Sequence, residues 1–185
     1  MSDLNGIRIA ILATDGVEEA ELTEPRKFLD QLGAVTTLLA PKAGQIQAMQ
    51  HHEKSAKFKV DQVLESANPA QYDAVLLPGG ALNADNLRVN NDAQRFVREI
   101  DQAHKPIAVI CHGPWLLVSA GLVKERKMTS YHTIQDDVRN AGAVWSDQQV
   151  VQDRNWVSSR QLADIPAFNR AMADLFTQIK SRKAA

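Results

Sequence analysis

The sequence predicts an α/β fold in which a mostly parallel sheet is covered by helices on both faces. Short runs rich in β-branched residues alternate along the chain with segments of helical periodicity. These runs are apolar at nearly every position, which is typical of parallel strands buried on both sides. A chain of 185 residues, 44% of them hydrophobic, can bury one large core. We therefore expect a single domain over residues 1–185.

The first half of the chain supplies three of the expected strands. Residues 7–14, "IRIAILAT", form a buried strand, and residues 20–33 follow as an amphipathic helix that stops at a glycine. Residues 35–40 form the second strand. Residues 73–80, "DAVLLPGG", form a third strand that ends in a Gly-Gly turn.

The second half continues the alternation. Residues 92–104 are expected to form a helix with Asp92 as its N-cap, followed by a strand over residues 105–110. Residues 113–122 form the next helix, and a last helix runs from about Ile165 to Lys180.

Two stretches depart from this pattern. Residues 46–60 fit neither a buried strand nor an amphipathic helix, and residues 150–159 contain the turn-like sequence Asp153-Arg154-Asn155. We expect the second stretch to form a hairpin at the periphery of the fold.

Charge and composition exclude several functions. The 21 basic and 22 acidic residues nearly balance and form no block, which argues against binding to a nucleic-acid backbone. No segment has the length of a membrane span, and the first apolar stretch is too short for a signal sequence. A single cysteine is compatible with a reducing compartment, so the cytoplasm is expected.

No cofactor or metal is expected. The sequence G-x-G-x-x-G is absent, which disfavours NAD and ATP. His51-His52-Glu53 could suggest a metal site, but adjacent residues on an extended strand point to opposite faces, and no second spaced pair of ligands follows.

Candidate functional groups follow three strands. Asp15 and Glu18 come after the first strand, Gly79-Gly80 after the third, and Cys111-His112 after residues 105–110. Ligands of parallel α/β sheets bind at the carboxyl ends of the strands, where the strand order reverses. These groups are therefore expected to meet in one site.

The only cysteine lies in "AVICHGP", residues 108–114, where a strand gives way to a helix. Such a junction can display a nucleophile, and the helix N-terminus is expected to lower the pKa of the Cys111 thiol. The alternative is a small buried core residue. Gly113-Pro114 is unfavourable inside a core strand, and this favours the interpretation of Cys111 as a nucleophile over that of a core residue.

The sequence leaves two roles open for each possible partner of Cys111. His112 is either a base or a bystander, and the remaining histidines all precede residue 133, which argues against a glutamine amidotransferase. Glu18 could hold a proton for a thiolate, or it could simply join Glu19 and Glu21 in placing acid at a helix N-terminus. Gly79 and Gly80 could supply N–H groups for an oxyanion. Gly113, Trp115 and Tyr131 complete the expected pocket.

Four segments carry a family resemblance. "DAVLLPGG", "KPIAVICHGPWLLVSAGLVKERKMTSY", "DDVRNAGAVW" and "NWVSSRQLADIPAFN" resemble the PfpI-type intracellular protease family. That family lies within the class I glutamine amidotransferase-like superfamily, which includes the parkinsonism-associated deglycase. The resemblance implies a flavodoxin-like three-layer sandwich with Cys111 as nucleophile at a strained elbow. It further implies His112 beside the cysteine and Glu18 touching the sulfur.

The resemblance implies several activities. Related proteins are described as peptidases, as deglycases and glyoxalases acting on aldehyde adducts, and as stress chaperones, and the fold does not choose among them. Archaeal peptidases of this type use a glutamate after the Gly-Gly turn, across a subunit contact. The nearest counterpart here is Asp85, in a loop that is one residue longer, and this shorter side chain weakens the peptidase hypothesis.

We therefore expect a cysteine-dependent stress-response enzyme that acts on methylglyoxal or glyoxal adducts of proteins or nucleotides. The alternatives are an intracellular cysteine peptidase and a non-enzymatic redox sensor or chaperone. A homo-oligomer, at least a dimer, is expected, with the Asp85 segment close to the site of a neighbouring subunit.

Overall fold

A computed structural model describes residues 3–184 and contains twelve strands and six helices among them. In chain order the strands are β1 (Arg8–Leu12), β2 (Val17–Glu18), β3 (Val35–Ala40), β4 (Gln45–Gln50), β5 (Glu53–Lys59), β6 (Gln62–Val63), β7 (Ala74–Leu77), β8 (Ile107–Ile110), β9 (Lys127–Met128), β10 (Val144–Trp145), β11 (Val150–Asp153) and β12 (Trp156–Ser159). The helices are α1 (Glu19–Gln31), α2 (Ala81–Arg88), α3 (Asn91–Gln102), α4 (Pro114–Ser119), α5 (Gln135–Asn140) and α6 (Ile165–Ala184).

The central sheet has seven strands in the order β11-β12-β8-β7-β1-β3-β6. Its neighbouring strands are parallel except at the β11 edge, where β11 runs antiparallel to β12. From β1 the chain first winds to one side through β3 and β6, then crosses back to β7 and winds to the other side. The strand order therefore reverses between β1 and β7, and the predicted α/β class is confirmed.

The core consists of two apolar layers, one on each face of the central sheet. Ile9 and Ile11 of β1 pack with residues of α1 and α6, whereas Ala10 and Leu12 face the layer that contains α3 and α4. Alternate side chains of a strand point to opposite faces, so a strand covered on both faces must be apolar throughout. This is why the central strands could be recognised as continuous apolar runs.

A second, three-stranded sheet in the order β2-β4-β5 stands apart from the central one. Residues 46–60, which fitted no regular element, form most of its antiparallel β4–β5 hairpin, with residues 51 and 52 at the turn. β5 is largely exposed and contains few apolar residues, so the hairpin lacks the apolar pattern of a buried strand. This small sheet leads directly into α1.

The structure corrects three local predictions. Asn90, rather than Asp92, caps α3, and its side chain accepts a hydrogen bond from the N–H of Ala93 at 2.8 Å. The segment around Asp85, expected as a loop, is the helix α2. The hairpin over residues 150–159 exists, but only β11 is peripheral, because β12 inserts beside β8 and is fully buried.

Within residues 3–184 we find no helix that is both long enough and apolar enough to cross a membrane.

Candidate active site

The carboxyl ends of the neighbouring strands β7 and β8 border a cavity of about 550 Å³, which Glu18 at the end of β2 also lines. Of the predicted groups, Glu18, Gly80 and Cys111-His112 thus meet beside the point where the strand order reverses, where ligands of such sheets bind. The described residues that line the cavity are Glu18, Glu21, His51, His52, Gly80, Ala81, Cys111, His112, Tyr131, Thr133, Gln161, Leu162 and Ala163.

Cys111 occupies a sharp turn between β8 and α4. Its backbone has φ of +62°, a conformation that is unfavourable for a residue with a Cβ. Hydrogen bonds hold the turn on both sides: the Cys111 N–H donates to the Ser159 carbonyl at 3.1 Å, and the Tyr131 N–H donates to the Cys111 carbonyl at 2.8 Å. The side chain is 8% exposed and reaches the cavity.

The carboxyl group beside the Cys111 sulfur belongs to Glu21, which forms a side-chain hydrogen bond with it. Glu21 is 1% exposed, and its Oε2 accepts a hydrogen bond from the Gly79 N–H at 2.8 Å. A Cβ at Gly79 would overlap this Oε2 and would stand 2.7 Å from the Cys111 Cβ. Only glycine at this position lets a helix residue reach past the end of β7 to the thiol.

The environment of this pair favours retention of a proton. Burial, reinforced by the nearby charge of Glu18, raises the pKa of Glu21 to about 8. Burial also raises the pKa of Cys111, as does negative charge on Glu21, whereas the backbone N–H groups of Gly80 and His112 oppose the rise. At pH 7 Glu21 is therefore mainly protonated and can share its proton with the sulfur.

The expectation of a lowered thiol pKa is therefore wrong. It relied on the N-terminus of the helix after Cys111, but α4 has only six residues, and the thiol is largely withdrawn from water. The sequence predicts a carboxyl group of raised pKa beside the thiol and assigns it to Glu18. The structure has such a group, but it belongs to Glu21, three residues further along the chain.

Glu18 lies in the cavity wall at the end of β2, and its Oε2 accepts a hydrogen bond from the His51 N–H at 3.0 Å. The sequence does contain a signal that separates the two glutamates. Glu21 lies in register with the buried residues Pro25 and Leu29 at spacings of four, so it faces the core side of α1. A glutamate on the apolar face of a helix is expected to have a buried carboxyl group, and this pattern identifies Glu21.

His112 contacts the thiol directly, with its Nδ1 3.2 Å from the Cys111 Sγ. Its ring stacks on Tyr131 at a centroid distance of 4.9 Å, and Trp115 packs edge-on at 5.5 Å. The Thr133 hydroxyl lies 3.4 Å from its Nε2. Burial and the nearby His132 lower the pKa of His112, which keeps the imidazole neutral at pH 7.

His51 and His52 line the cavity, and the sequence did not predict this. On an extended strand two adjacent side chains would point to opposite faces, but His51 and His52 form the tight β4–β5 turn, where His51 has φ of +56°. Two adjacent side chains at a turn can face the same space. The described residues contain no cluster of three or more metal-binding side chains, here or elsewhere.

The remaining predicted residues divide into neighbours of the site and outlying groups. The Gly80 N–H points at the Cys111 sulfur, and Gly113 is packed tightly against the Leu77 carbonyl. Trp115, predicted to line the pocket, is not among the lining residues; it packs edge-on against His112, and its Nε1–H donates to Asp137 at 2.8 Å. Two carboxylates lie away from the sulfur: Asp15 accepts from the Gln47 N–H, and Asp85 is exposed on α2.

Together the fold and the cavity define an α/β protein of flavodoxin-like architecture that displays a cysteine at a strand-to-helix elbow, between a buried carboxyl and a neutral histidine. The chain belongs to the DJ-1/PfpI family, which it matches over residues 7–175. The resemblance noted from its sequence motifs is thereby confirmed.

Curated relatives cover most of the chain. The deglycase PfpI of Pyrococcus furiosus is 38% identical over 169 residues, which are 91% of this chain and 99% of that protein. Protein/nucleic acid deglycase 2 of Escherichia coli is 39% identical over 164 residues, 88% of this chain and 94% of that protein. These relatives carry the names of hydrolase-type enzymes.

A solved structure agrees with the fold. It is a two-domain protein of Anabaena variabilis with a DJ-1/ThiJ/PfpI-like and a ferritin-like domain, with a TM-score of 0.85 and 30% identity. The match covers 91% of this chain and 47% of that protein.

Proposed function

We propose that the protein is a cysteine-dependent deglycase or glyoxalase, which acts inside the cell on adducts of methylglyoxal or glyoxal with proteins or nucleotides. The observation that carries the proposal is the contact of Cys111 with a buried, protonated Glu21 in a cavity large enough for a small adduct. The names of the curated relatives support the same chemistry.

The site can add its thiol to the carbonyl group of an adduct. The sulfur forms a bond to the carbonyl carbon, and the carbonyl electron pair moves to its oxygen. Protonated Glu21 gives its proton to this oxygen and takes up the Cys111 proton, so Glu21 ends the step protonated and the addition balances. In the release step neutral His112 takes the proton of the carbinol hydroxyl, the bond from the carbinol carbon to the repaired side chain breaks, and His112 gives the proton to the departing nitrogen or sulfur. The dicarbonyl remains as a hemithioacetal of Cys111, whose C–S bond breaks by the reverse of the addition, so the thiol is regenerated.

This mechanism does not need a catalytic triad. Within one chain, the group at hydrogen-bond distance from the Nε2 of His112 is the Thr133 hydroxyl, which orients a histidine more weakly than the acid of a peptidase does. Asp85 is exposed on α2 and could reach this histidine only from a neighbouring subunit. This favours adduct chemistry over peptide hydrolysis.

We expect Cys111→Ser to lower the turnover of methylglyoxal-treated N-acetyl-argininamide by at least about a thousandfold, because serine is a far weaker nucleophile without a dedicated base. Release of the unmodified compound is followed by chromatography, and free methylglyoxal is assayed alongside. Casein cleavage that disappears in Cys111→Ser would support the peptidase instead. Protection of a client protein only after peroxide treatment, with no turnover, would support the redox sensor or chaperone.

We further propose a homo-oligomer in which α2 takes part in the contact between subunits. Two large apolar side chains of this segment are unusually exposed, Leu82 at 59% and, just past the helix end, Val89 at 75%. They stand seven positions apart, which places them on one side of the helix, and Asp85 lies between them in sequence.

We expect sedimentation over a dilution series to show at least a dimer, with activity falling where the assembly dissociates. Asp85→Ala should lower activity if this carboxylate serves a neighbouring site, and Asp92→Ala, on the first turn of α3, is the matched control. A fully active monomer at micromolar concentration would refute the assembly, whereas a dimer indifferent to Asp85→Ala would refute the shared site only.

A further inference from the structure

We propose that the cavity selects cationic adducts, above all those of arginine side chains, and that Glu18 is the residue that recognises the cation. The inference rests on the proposed function, because it concerns which adducts reach Cys111. Its basis is the arrangement of one anchored carboxylate in the wall of a cavity that also contains the thiol.

The cavity wall has an unbalanced charge. Among the described residues that line it, two are glutamates, three are histidines, and none is a lysine or an arginine. Glu21 is mainly protonated at pH 7 because burial raises its pKa to about 8. A phosphate group would therefore meet a carboxylate at Glu18 and no lysine or arginine to pair with, which makes its desolvation costly.

Glu18 is held in a fixed position in this wall. Its Oε2 accepts a hydrogen bond from the His51 N–H at 3.0 Å, and its own N–H donates to the Gly79 carbonyl at 3.3 Å. The residue is 9% exposed. A carboxylate that is fixed and largely withdrawn from water attracts a cation more strongly than a mobile surface carboxylate does.

The chemistry of an arginine adduct fits this arrangement. The aldehyde carbon is attached to a guanidinium nitrogen, so the positive charge lies within a bond or two of the reacting carbon. A guanidinium group also matches the two oxygens of a carboxylate in shape. The corresponding adduct of a cysteine is neutral, and that of a nucleotide carries phosphate.

The test compares two substrates and two variants. Methylglyoxal adducts of N-acetyl-argininamide and N-acetyl-cysteinamide are offered to the wild type, to Glu18→Gln and to Glu19→Gln. Glu18→Gln keeps the size and a hydrogen-bond acceptor but loses the charge. We expect it to lower kcat/KM for the arginine adduct about tenfold more than for the cysteine adduct, mainly through KM. Glu19→Gln, outside the cavity wall, should leave the ratio of the two substrates unchanged.

Inhibition of the wild type gives a second measurement that does not depend on a variant. N-acetyl-argininamide should inhibit turnover of the cysteine adduct about tenfold more strongly than N-acetyl-citrullinamide, in which a neutral urea replaces the guanidinium. Equal inhibition by the two compounds, together with an unchanged substrate ratio in Glu18→Gln, would overturn the inference while leaving the deglycase intact. A wild type that turns over neither adduct would overturn the proposed function itself.

Discussion

Replacement of Glu21 by glutamine is expected to lower kcat by at least about a hundredfold, the usual contribution of a positioned acid or base. Glutamine can still accept the hydrogen bond from the Gly79 N–H, so the local structure should persist. It can neither give a proton to the substrate oxygen nor take the Cys111 proton in exchange, and the thiol would remain protonated because burial raises its pKa. The loss should therefore appear in kcat rather than in KM.

The control is Glu19→Gln, which changes the same functional group two positions away. Glu19 accepts a hydrogen bond from the Ala56 N–H at 3.2 Å and does not line the cavity. Its substitution should change turnover less than twofold. Full activity of Glu21→Gln in a folded protein would show that the proton is handled elsewhere, and His112 would be the next residue to substitute.

The second large effect is a pH dependence of stability that Glu21→Gln removes. The folded state raises the pKa of Glu21 from 4.5 to about 8. Between these values the unfolded chain releases a proton that the folded protein keeps, so the free energy of unfolding falls as pH rises, by up to about 1.4 kcal/mol per pH unit. Below pH 4.5 both states hold the proton and this contribution is constant.

Urea unfolding of the wild type and of Glu21→Gln at several pH values isolates this contribution. The free energy of unfolding of the variant, relative to the wild type, should increase by about 3 kcal/mol between pH 5 and pH 7.5. Glu19→Gln should show no such increase, because hydrogen bonds lower the pKa of Glu19 in the folded state. A constant difference between Glu21→Gln and the wild type would mean that Glu21 is ionised throughout this range.

The central architecture could be predicted because its strands are apolar on both faces, a pattern that few other structures produce. The site could be located for a related reason: Gly79-Gly80 and Cys111-His112 follow two strands that proved to be neighbours. The sequence could not predict which side chain from a neighbouring element extends far enough to contact Cys111. The choice between Glu18 and Glu21 depends on the direction of α1 and on the gap left by Gly79, and both are properties of packing.

The small sheet was missed for a different reason. Residues 46–60 form a hairpin that is exposed along β5, so its strands lack the continuous apolar pattern of the core. The pattern therefore predicts an extended segment at His51 and His52, with their side chains on opposite faces. Local pattern alone could not show that they sit at a turn directed toward Cys111.

The small sheet has a consequence for how substrate range can change. Glu18 ends β2, and His51 and His52 join β4 to β5, so one wall of the cavity is built by a sheet separate from the one that ends at Cys111. We expect substitutions of His51 and His52 to change this wall without altering the residues that bring Glu21 to Cys111. Changes in the β4–β5 hairpin can therefore alter which substrates enter the cavity while Cys111 and Glu21 stay the same.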